Sequence, residues 1–318
     1  MNLKKIGITL LLLPTTYLLA SCTNNKTTTT TTQEDKEIKI NNYGREVTVT
    51  HIPENVITIG PNASELFVAL GLEDKIIGNA LDNHSRGPLP EYEKGYAKIP
   101  ELTYGSPTRE AVLSSGADFI YGIDWEFGEE GLNIDELNDY GITTYLNSAH
   151  TIDQVFQEIE DLGMIFDIKE EASNLIEDQS KRLERVQASI DWEPVSVLVY
   201  DSGNNGVFTA SQKNFETRLI EASGGVNIFS DLTEKDWVTV SAEEVLSRNP
   251  EVIIIHDYDA QSAEEKIAEL KNDPVLNQVK AVKDEAFVVI SLESALPGPR
   301  TAYIVETLSK AFEKVGNN

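Results

Sequence analysis

The chain has 318 residues, is 40% hydrophobic and carries a formal net charge of −27, which is length enough for two compact domains. That charge repels phosphate backbones and anionic headgroups, which excludes nucleic acid as a partner. An anionic small ligand would need locally placed cations, and the chain holds only eight arginines. A single cysteine, Cys22, rules out an intrachain disulfide and a multi-cysteine metal site.

Lys4-Lys5 ahead of the apolar run Ile6 to Ala20 reads as a signal peptide over residues 1–21. The run is short for a membrane-spanning helix, and Pro14 interrupts it. Leu19-Ala20-Ser21-Cys22 fits a lipobox, in which the Cys22 thiol receives a diacylglycerol and anchors the protein to the outer face of the cytoplasmic membrane. Plain secretion with an incidental cysteine is the alternative. Residues 22–36, with threonines from Thr27 to Thr32, are a polar tether that cannot bury a core.

Glu37 to Thr50 predicts a hairpin, with Ile38 and Ile40 on one arm and Val47 and Val49 on the other. Val56 to Gly60 predicts a buried strand, Ala63 to Leu70 a helix stopped by Gly71, and Ile76 to Gly78 the next strand. A polar loop holds His84 and Arg86. Ser106 and Pro107 predict an N-cap and first helical position, ahead of the strand Phe119 to Tyr121, a helix from Ile134 to Tyr140 and a strand from Ile142 to Leu146. Thr151 to Asp191 is free of proline and apolar at helical spacing. It is broken near Gly163 and Asp167, so a short helix precedes a longer one from about Lys169. The pattern then resumes: strands at Val195–Tyr200, Val207–Thr209, Val252–His256 and Ala286–Ile290, and helices at Lys213–Ala222, Ser241–Ser247, Ala263–Leu270 and Thr301–Val315. Strands alternating with helices imply α/β blocks with largely parallel sheets. The expected organisation is an N-terminal lobe over 37–167, a connecting helix over 168–191 and a C-terminal lobe over 192–318.

The two blocks share a pattern. Glu110 to Ile120 aligns with Glu243 to Ile253 at a constant offset of 133, and Leu66 to Gly71 aligns with Leu219 to Gly224 at an offset of 153. Two matched segments in the same order favour two similar lobes over chance likeness between α/β units. Facing lobes place the C-terminal ends of their strands around a shared cleft, where ligands of open α/β sheets bind. The candidates, in loops that follow strands, are Pro61-Asn62, His84, Arg86, Asp124-Trp125, Asn147, Phe208-Thr209, Trp237, Asp257-Tyr258, and Glu293 with Arg300.

No catalytic constellation is present: there is no GxSxG, no phosphate loop ending in GK[ST] and no GxGxxG, and the chain is not expected to be an enzyme. His84, His150 and His256 each follow or end a strand. With Asp257 or Glu293 they would make a zinc or manganese site, although their wide spacing is equally that of ordinary loop histidines. The aromatic set Tyr104, Trp125, Phe208, Trp237 and Tyr258, with Arg86 and Arg300 as donors, suits a large planar or chelated organic ligand. Phe208 is expected to be core.

These features together resemble the substrate-binding lipoproteins of iron-siderophore, haem and cobalamin ABC importers. The resemblance runs from about Ile38 to Val315. It rests on Gly44 to Val49, Val56 to Leu66 with Ala69-Leu70-Gly71, Ser106 to Ala111 with Ala117 to Ile120, the long helix, Gly224 to Phe229, Trp237 ahead of Val240 to Leu246, and Pro250 to Ile254. It implies two Rossmann-like lobes joined by a single long α-helix that limits opening, a ligand cleft between them and a monomer. By motif position Glu110 and Glu243 look like the glutamates that dock on arginines of the permease; each would also favour its helix N-terminus. Ser241 and Glu244 predict a capping box. Tyr104 and Trp237 resemble positions of cleft aromatics, and arginine near Arg300 serves anionic cargo in some relatives. The acidic segment Trp125 to Gly131 departs from the commoner pattern and leaves the cargo open: a ferric siderophore or similar iron chelate, a corrinoid or haem, or, on the histidine alternative, a bare zinc or manganese ion.

Overall fold

The computed structural model describes residues 37–203, 206–259 and 261–317; the signal peptide, Cys22 and the threonine tether lie outside the described residues. Strands β1 (Ile38–Asn42) and β2 (Arg45–Val49) pair antiparallel, from Ile38 opposite Val49 to Asn42 opposite Arg45. Their turn, Tyr43-Gly44, has φ of 53° and 84°. Positive φ at both central residues matches the twist of the flanking strands, and glycine adopts it without steric penalty.

Next come β3 (Val56–Ile59), α1 (Ala63–Ala69), β4 (Ile76–Ala80), α2 (Glu93–Tyr96), α3 (Arg109–Ser114), β5 (Phe119–Ile123), α4 (Ile134–Asp139) and β6 (Thr143–Asn147). The four strands from β3 onward form a parallel sheet in the order β4-β3-β5-β6. Both β3 and β5 are buried throughout, because helices cover both faces, and so they read as unbroken apolar runs. Helix α3 starts later than the sequence predicts. Thr108 is its N-cap, accepting from the Ala111 N–H, while the Ser106 hydroxyl donates to Glu126 instead.

The amphipathic stretch forms α5 (Ile152–Ile165), closed by a reciprocal Thr151–Gln154 capping box, and α6 (Lys169–Ser189). Between them the chain turns at Asp167, with φ of 56°. At 1.5 Å per residue α6 spans about 30 Å. Beyond it lie β7 (Val195–Tyr200), β8 (Val207–Ala210), α7 (Phe215–Ala222), β9 (Gly225–Asn227), β10 (Trp237–Val240), α8 (Ala242–Arg248), β11 (Val252–Asp257), α9 (Ala263–Asn272), α10 (Lys280–Lys283), β12 (Phe287–Ser291), α11 (Leu292–Ala295) and α12 (Thr301–Gly316). The second parallel sheet has the order β12-β11-β7-β9, with β8 and β10 as a separate antiparallel pair. Counted within each four-stranded sheet, both have the order 2-1-3-4, so the repeat in sequence is a repeat of topology. Helices α3 and α8, which carry the aligned segments, each lead into the third strand of their sheet. In α8 the capping box is half formed: Ser241 accepts from the Glu244 N–H, but the Glu244 carboxylate turns to Arg248.

The strands of each sheet divide their side chains between two cores. Val195, Val197 and Val199 of β7, and Val252 and Ile254 of β11, join Val56 of β3 and Phe119 and Tyr121 of β5 in one apolar cluster that runs through both lobes. Residues of the opposite parity, Ile57 and Ile59 or Leu198 and Ile253, face cores private to their own lobe. Residues from α5, α6 and α12 complete the shared cluster. The lobes are therefore held by a continuous packed core as well as by one helix, and close-packed cores resist gradual deformation.

Polar bonds fix α6 on that core. Buried Gln179 donates to the Pro299 carbonyl at 2.9 Å and accepts from the Ala302 N–H at 2.8 Å, tying the middle of α6 to the start of α12. Arg182 forks onto Glu306 at 2.9 and 2.8 Å. Gln179→Leu leaves two buried backbone groups without partners and is expected to lower unfolding free energy by about 2 kcal/mol or more in urea titrations. A loss below about 0.5 kcal/mol would show that water replaces both bonds.

Candidate ligand cleft and the contacts between the lobes

The residues expected at the cleft fall into two groups. Trp125 and His150 from the N-terminal lobe meet Trp237 and Phe215 from the C-terminal lobe around a cavity of about 220 Å³, with Asn147 and Pro297 also on its wall. Trp125, 50% exposed, sits on a helical turn directly after β5. Trp237 was expected in a loop but lies on β10. Its ring stacks on Phe208 of β8 at 5.2 Å and 18° and meets His256 edge-on at 5.9 Å. Phe208 is thus half-buried support for a cleft wall and not core.

The second group closes the other side of the interface between the lobes. Arg300 is 5% exposed and Glu65, on α1, 1%. Arg300 Nε donates to Glu65 at 2.7 Å, Nη2 to the Gly87 carbonyl at 2.6 Å and Nη1 to Ser291 at 3.1 Å. Burial pushes the Glu65 carboxyl up, and Arg300 together with the Leu89 N–H opposes that push. Arg300 is therefore no free donor for cargo. All three of its nitrogens are engaged, because an unpaired guanidinium at that depth would be costly. Buried Glu293 accepts from Ser85 and from the Arg86 N–H at 2.7 Å. The Arg86 side chain crosses to Asp257 at 3.1 and 3.2 Å and to the Asp259 carbonyl. Asn62 is also committed, donating to Asn147 at 2.9 Å and to the Pro297 carbonyl at 2.5 Å from a fully buried position. Tyr258 donates to Asp201 and packs edge-on against His84 at 5.6 Å. Tyr104, 62% exposed, lies off the cavity.

The three histidines are not brought together, and among the described residues no group of His, Cys, Asp and Glu side chains forms a metal cluster. His150 is on the cavity wall and His84 is against Tyr258. His256, at the end of β11, is fully buried, with Nδ1 3.0 Å from Asp201 and Nε2 3.0 Å from Glu216. Sequence reasoning missed both partners, which lie 55 and 40 residues away. Burial alone would lower the His256 pKa, but Glu216 and Asp201 outweigh it and push it up to about 9. Burial likewise opposes charge on Asp201, yet His256 holds its carboxyl below the usual range. Lys266 Nζ donates to the His256 carbonyl at 2.8 Å and lies over the Tyr258 ring. This buried triad locks the ends of β7 and β11 to α7 directly behind Trp237.

In the N-terminal lobe an equivalent anchor is neutral on one side. Buried Glu158 of α5 accepts from the hydroxyls of Tyr43 and Tyr121, from Asn147 Nδ2 at 2.7 Å and from the Ser148 N–H at 3.1 Å. Burial raises its carboxyl, and these donors oppose the shift. The bond to Asn147 continues through Asn62 to Pro297, so the floor of the cleft is fixed from the opening hairpin to the C-terminal lobe.

Two outcomes follow. Arg300→Ala strands Glu65 in the core and is expected to cost about 3–5 kcal/mol in denaturant titrations, with much of that recovered when Glu65→Leu is added. An Arg300→Ala variant within about 1 kcal/mol of the parent would return Arg300 to the list of exposed donors. For the triad the sign is set by both shifts. The His256 contribution is complete below its unfolded value of about 6.5 and is lost as pH rises through about 9. The Asp201 contribution is complete above its unfolded value and is lost as pH falls through the lowered one. Tm is therefore expected to hold between about pH 5 and 6.5 and to decline toward about pH 9, and His256→Gln should abolish the alkaline decline while lowering Tm throughout. An identical alkaline decline in that variant would assign it to other groups.

A sequence profile of periplasmic binding proteins matches residues 56–292. The chain is 24% identical over 266 residues to the vitamin B12-binding protein of Vibrio parahaemolyticus serotype O3:K6, covering 82% of this chain and 90% of that one. A periplasmic binding protein from Veillonella parvula superposes with a TM-score of 0.79 at 26% identity, covering 88% of this chain and 98% of that one. The Fe3+-hydroxamate transport system structure from Saccharomonospora viridis gives 0.74 at 22% identity, over 86% and 98%. With matching sheets in two lobes, a helix across them and a profile match over most of its length, this chain belongs to the periplasmic binding protein family.

Proposed function

We propose that the protein is the extracytoplasmic substrate-binding component of an ABC importer. It captures a ferric siderophore or similar metal chelate between its lobes and delivers it to the permease. Lipid on Cys22 would hold it at the outer face of the cytoplasmic membrane as a monomer. The observation that carries this reading is the cavity walled by Trp125 from one lobe and Trp237 from the other, flat apolar faces suited to a bulky chelate. The likeness to a vitamin B12-binding protein over 82% of the chain favours a corrinoid as the second reading of the same cleft.

Docking is assigned to Glu110 and Glu243. Each is the second residue of a helix that leads into the third strand of its sheet. Each is exposed, with no hydrogen bond or ion pair to its carboxylate among the described residues. A shared core holds them at a set separation, which suits recognition by a two-fold partner. The double variant Glu110→Ala/Glu243→Ala is expected to abolish uptake of the captured chelate into cells while tryptophan quenching shows its affinity unchanged. Uptake equal to that of the parent would refute the docking assignment.

A further inference from the structure

The charge of the cleft is set by residues that its shape alone does not reveal. Asp124 stands beside Trp125 on one wall and Asp236 beside Trp237 on the other, and both line the cavity. Asp124 accepts from the Ser148 hydroxyl. The Asp236 carboxylate has no hydrogen bond or ion pair among the described residues. Among the described residues no lysine or arginine lines this cavity. The two arginines that pair across the lobe junction are committed elsewhere, Arg300 to Glu65 and Arg86 to Asp257. Among the described residues the one basic group on the wall is the His150 imidazole. The chain as a whole carries a net charge of −27, which attracts cations and repels anions at long range.

Resting on the capture reading above, we propose that this cleft selects a chelate of zero or net positive charge and rejects an anionic one. An anion seated between the tryptophans would stand close to two carboxylates with no counter-cation, in a space partly shielded from water. Like charges are poorly screened there, and each carboxylate shifts affinity by about tenfold or more. A cation gains the same terms with opposite sign, and a neutral chelate loses only the solvation of two carboxylates that stay partly wet. The same reasoning ranks haem, with its two propionates, below a neutral corrinoid, and a catecholate iron complex below a hydroxamate one.

Two charge series test this on the mature chain by calorimetry and tryptophan quenching. One is a linear ferric trihydroxamate with its terminal amine free, acetylated or succinylated. The other is a cobalamin as the aqua cation, the neutral cyano form and a monocarboxylate. In any series that binds, the anionic member is expected to bind at least about tenfold more weakly than the cationic one. Asp124→Asn/Asp236→Asn should bring the two within about threefold, and added salt should slow association of the cation. Equal or tighter binding of the anionic member, or a gap that survives the double substitution, overturns the proposal and leaves the capture reading standing. Failure of every member of both series to bind overturns the capture reading and this proposal with it.

Discussion

The buried ion pair between Arg300 and Glu65 fixes how the two lobes meet. Its burial is tolerable only because the guanidinium uses its fork fully, on Glu65, the Gly87 carbonyl and the serines of the turn before α12. Such pairs contribute less net stability than apolar groups of the same volume would, but they tolerate only one arrangement of their partners. The apolar cluster shared by both sheets supplies the attraction between the lobes. The ion pair decides which face of residues 291–300 meets α1, and thereby where the strand ends of one sheet stand relative to those of the other. The cleft is the part of that interface left unfilled, on the side of the tryptophans.

The two sides of the interface differ in how easily they can part. Arg86 and Asp257 are each about one-third exposed, and a solvated pair of that kind is worth about 0–1 kcal/mol. It can open without disturbing the Arg300 lock beneath it. A cavity of about 220 Å³ is small against the roughly 300–1,000 Å³ of sites that enclose a drug-sized ligand. A bulky chelate must then sit partly outside the cavity or displace a wall. Trp237 is the poorer wall to move, since Phe208 and His256 brace it and the His256 triad is buried. Trp125 rides on an exposed turn and is the wall free to adjust.

Much of this architecture was legible because the sheets are buried on both faces, so β3, β5, β7 and β11 announce themselves as apolar runs. The repeat was legible because both lobes use the same parts in the same order around Glu110 and Glu243. Strand β9 is only three residues long and opens with glycine, and β10 earns its assignment from pairing with β8, so neither has a local signature. The site was less legible for a single reason: a charged residue near a strand end looks the same whether it faces ligand or another lobe. Arg300 and Asn62 are interface residues because Glu65 and Pro297 happen to oppose them, both 235 residues away. His256 is structural because Asp201 and Glu216 converge on it. No spacing in the chain encodes those meetings.

If Glu110 and Glu243 dock as proposed, an interface pinned by a shared core sets a problem for a partner that must tell a loaded protein from an empty one, since their separation would change little. The geometry offers a shorter path from the tryptophans to those two glutamates. On the C-terminal side Trp237 belongs to β10, which runs through Val240 into Ser241, the N-cap of the helix that carries Glu243. On the N-terminal side Trp125 neighbours Glu126, which accepts from Ser106 at 3.1 Å, two residues ahead of the Thr108 cap of the helix that carries Glu110. Arg109, between cap and glutamate, is forked onto Glu136 of α4. Each tryptophan is thus joined within a few residues or one hydrogen bond to the helix of its own lobe that carries the glutamate proposed for docking. On the proposed reading, a ligand that shifts Trp125 would reach the start of α3 through Glu126 and Ser106, and occupancy would be read as a local change at one helix start without closure of the lobes.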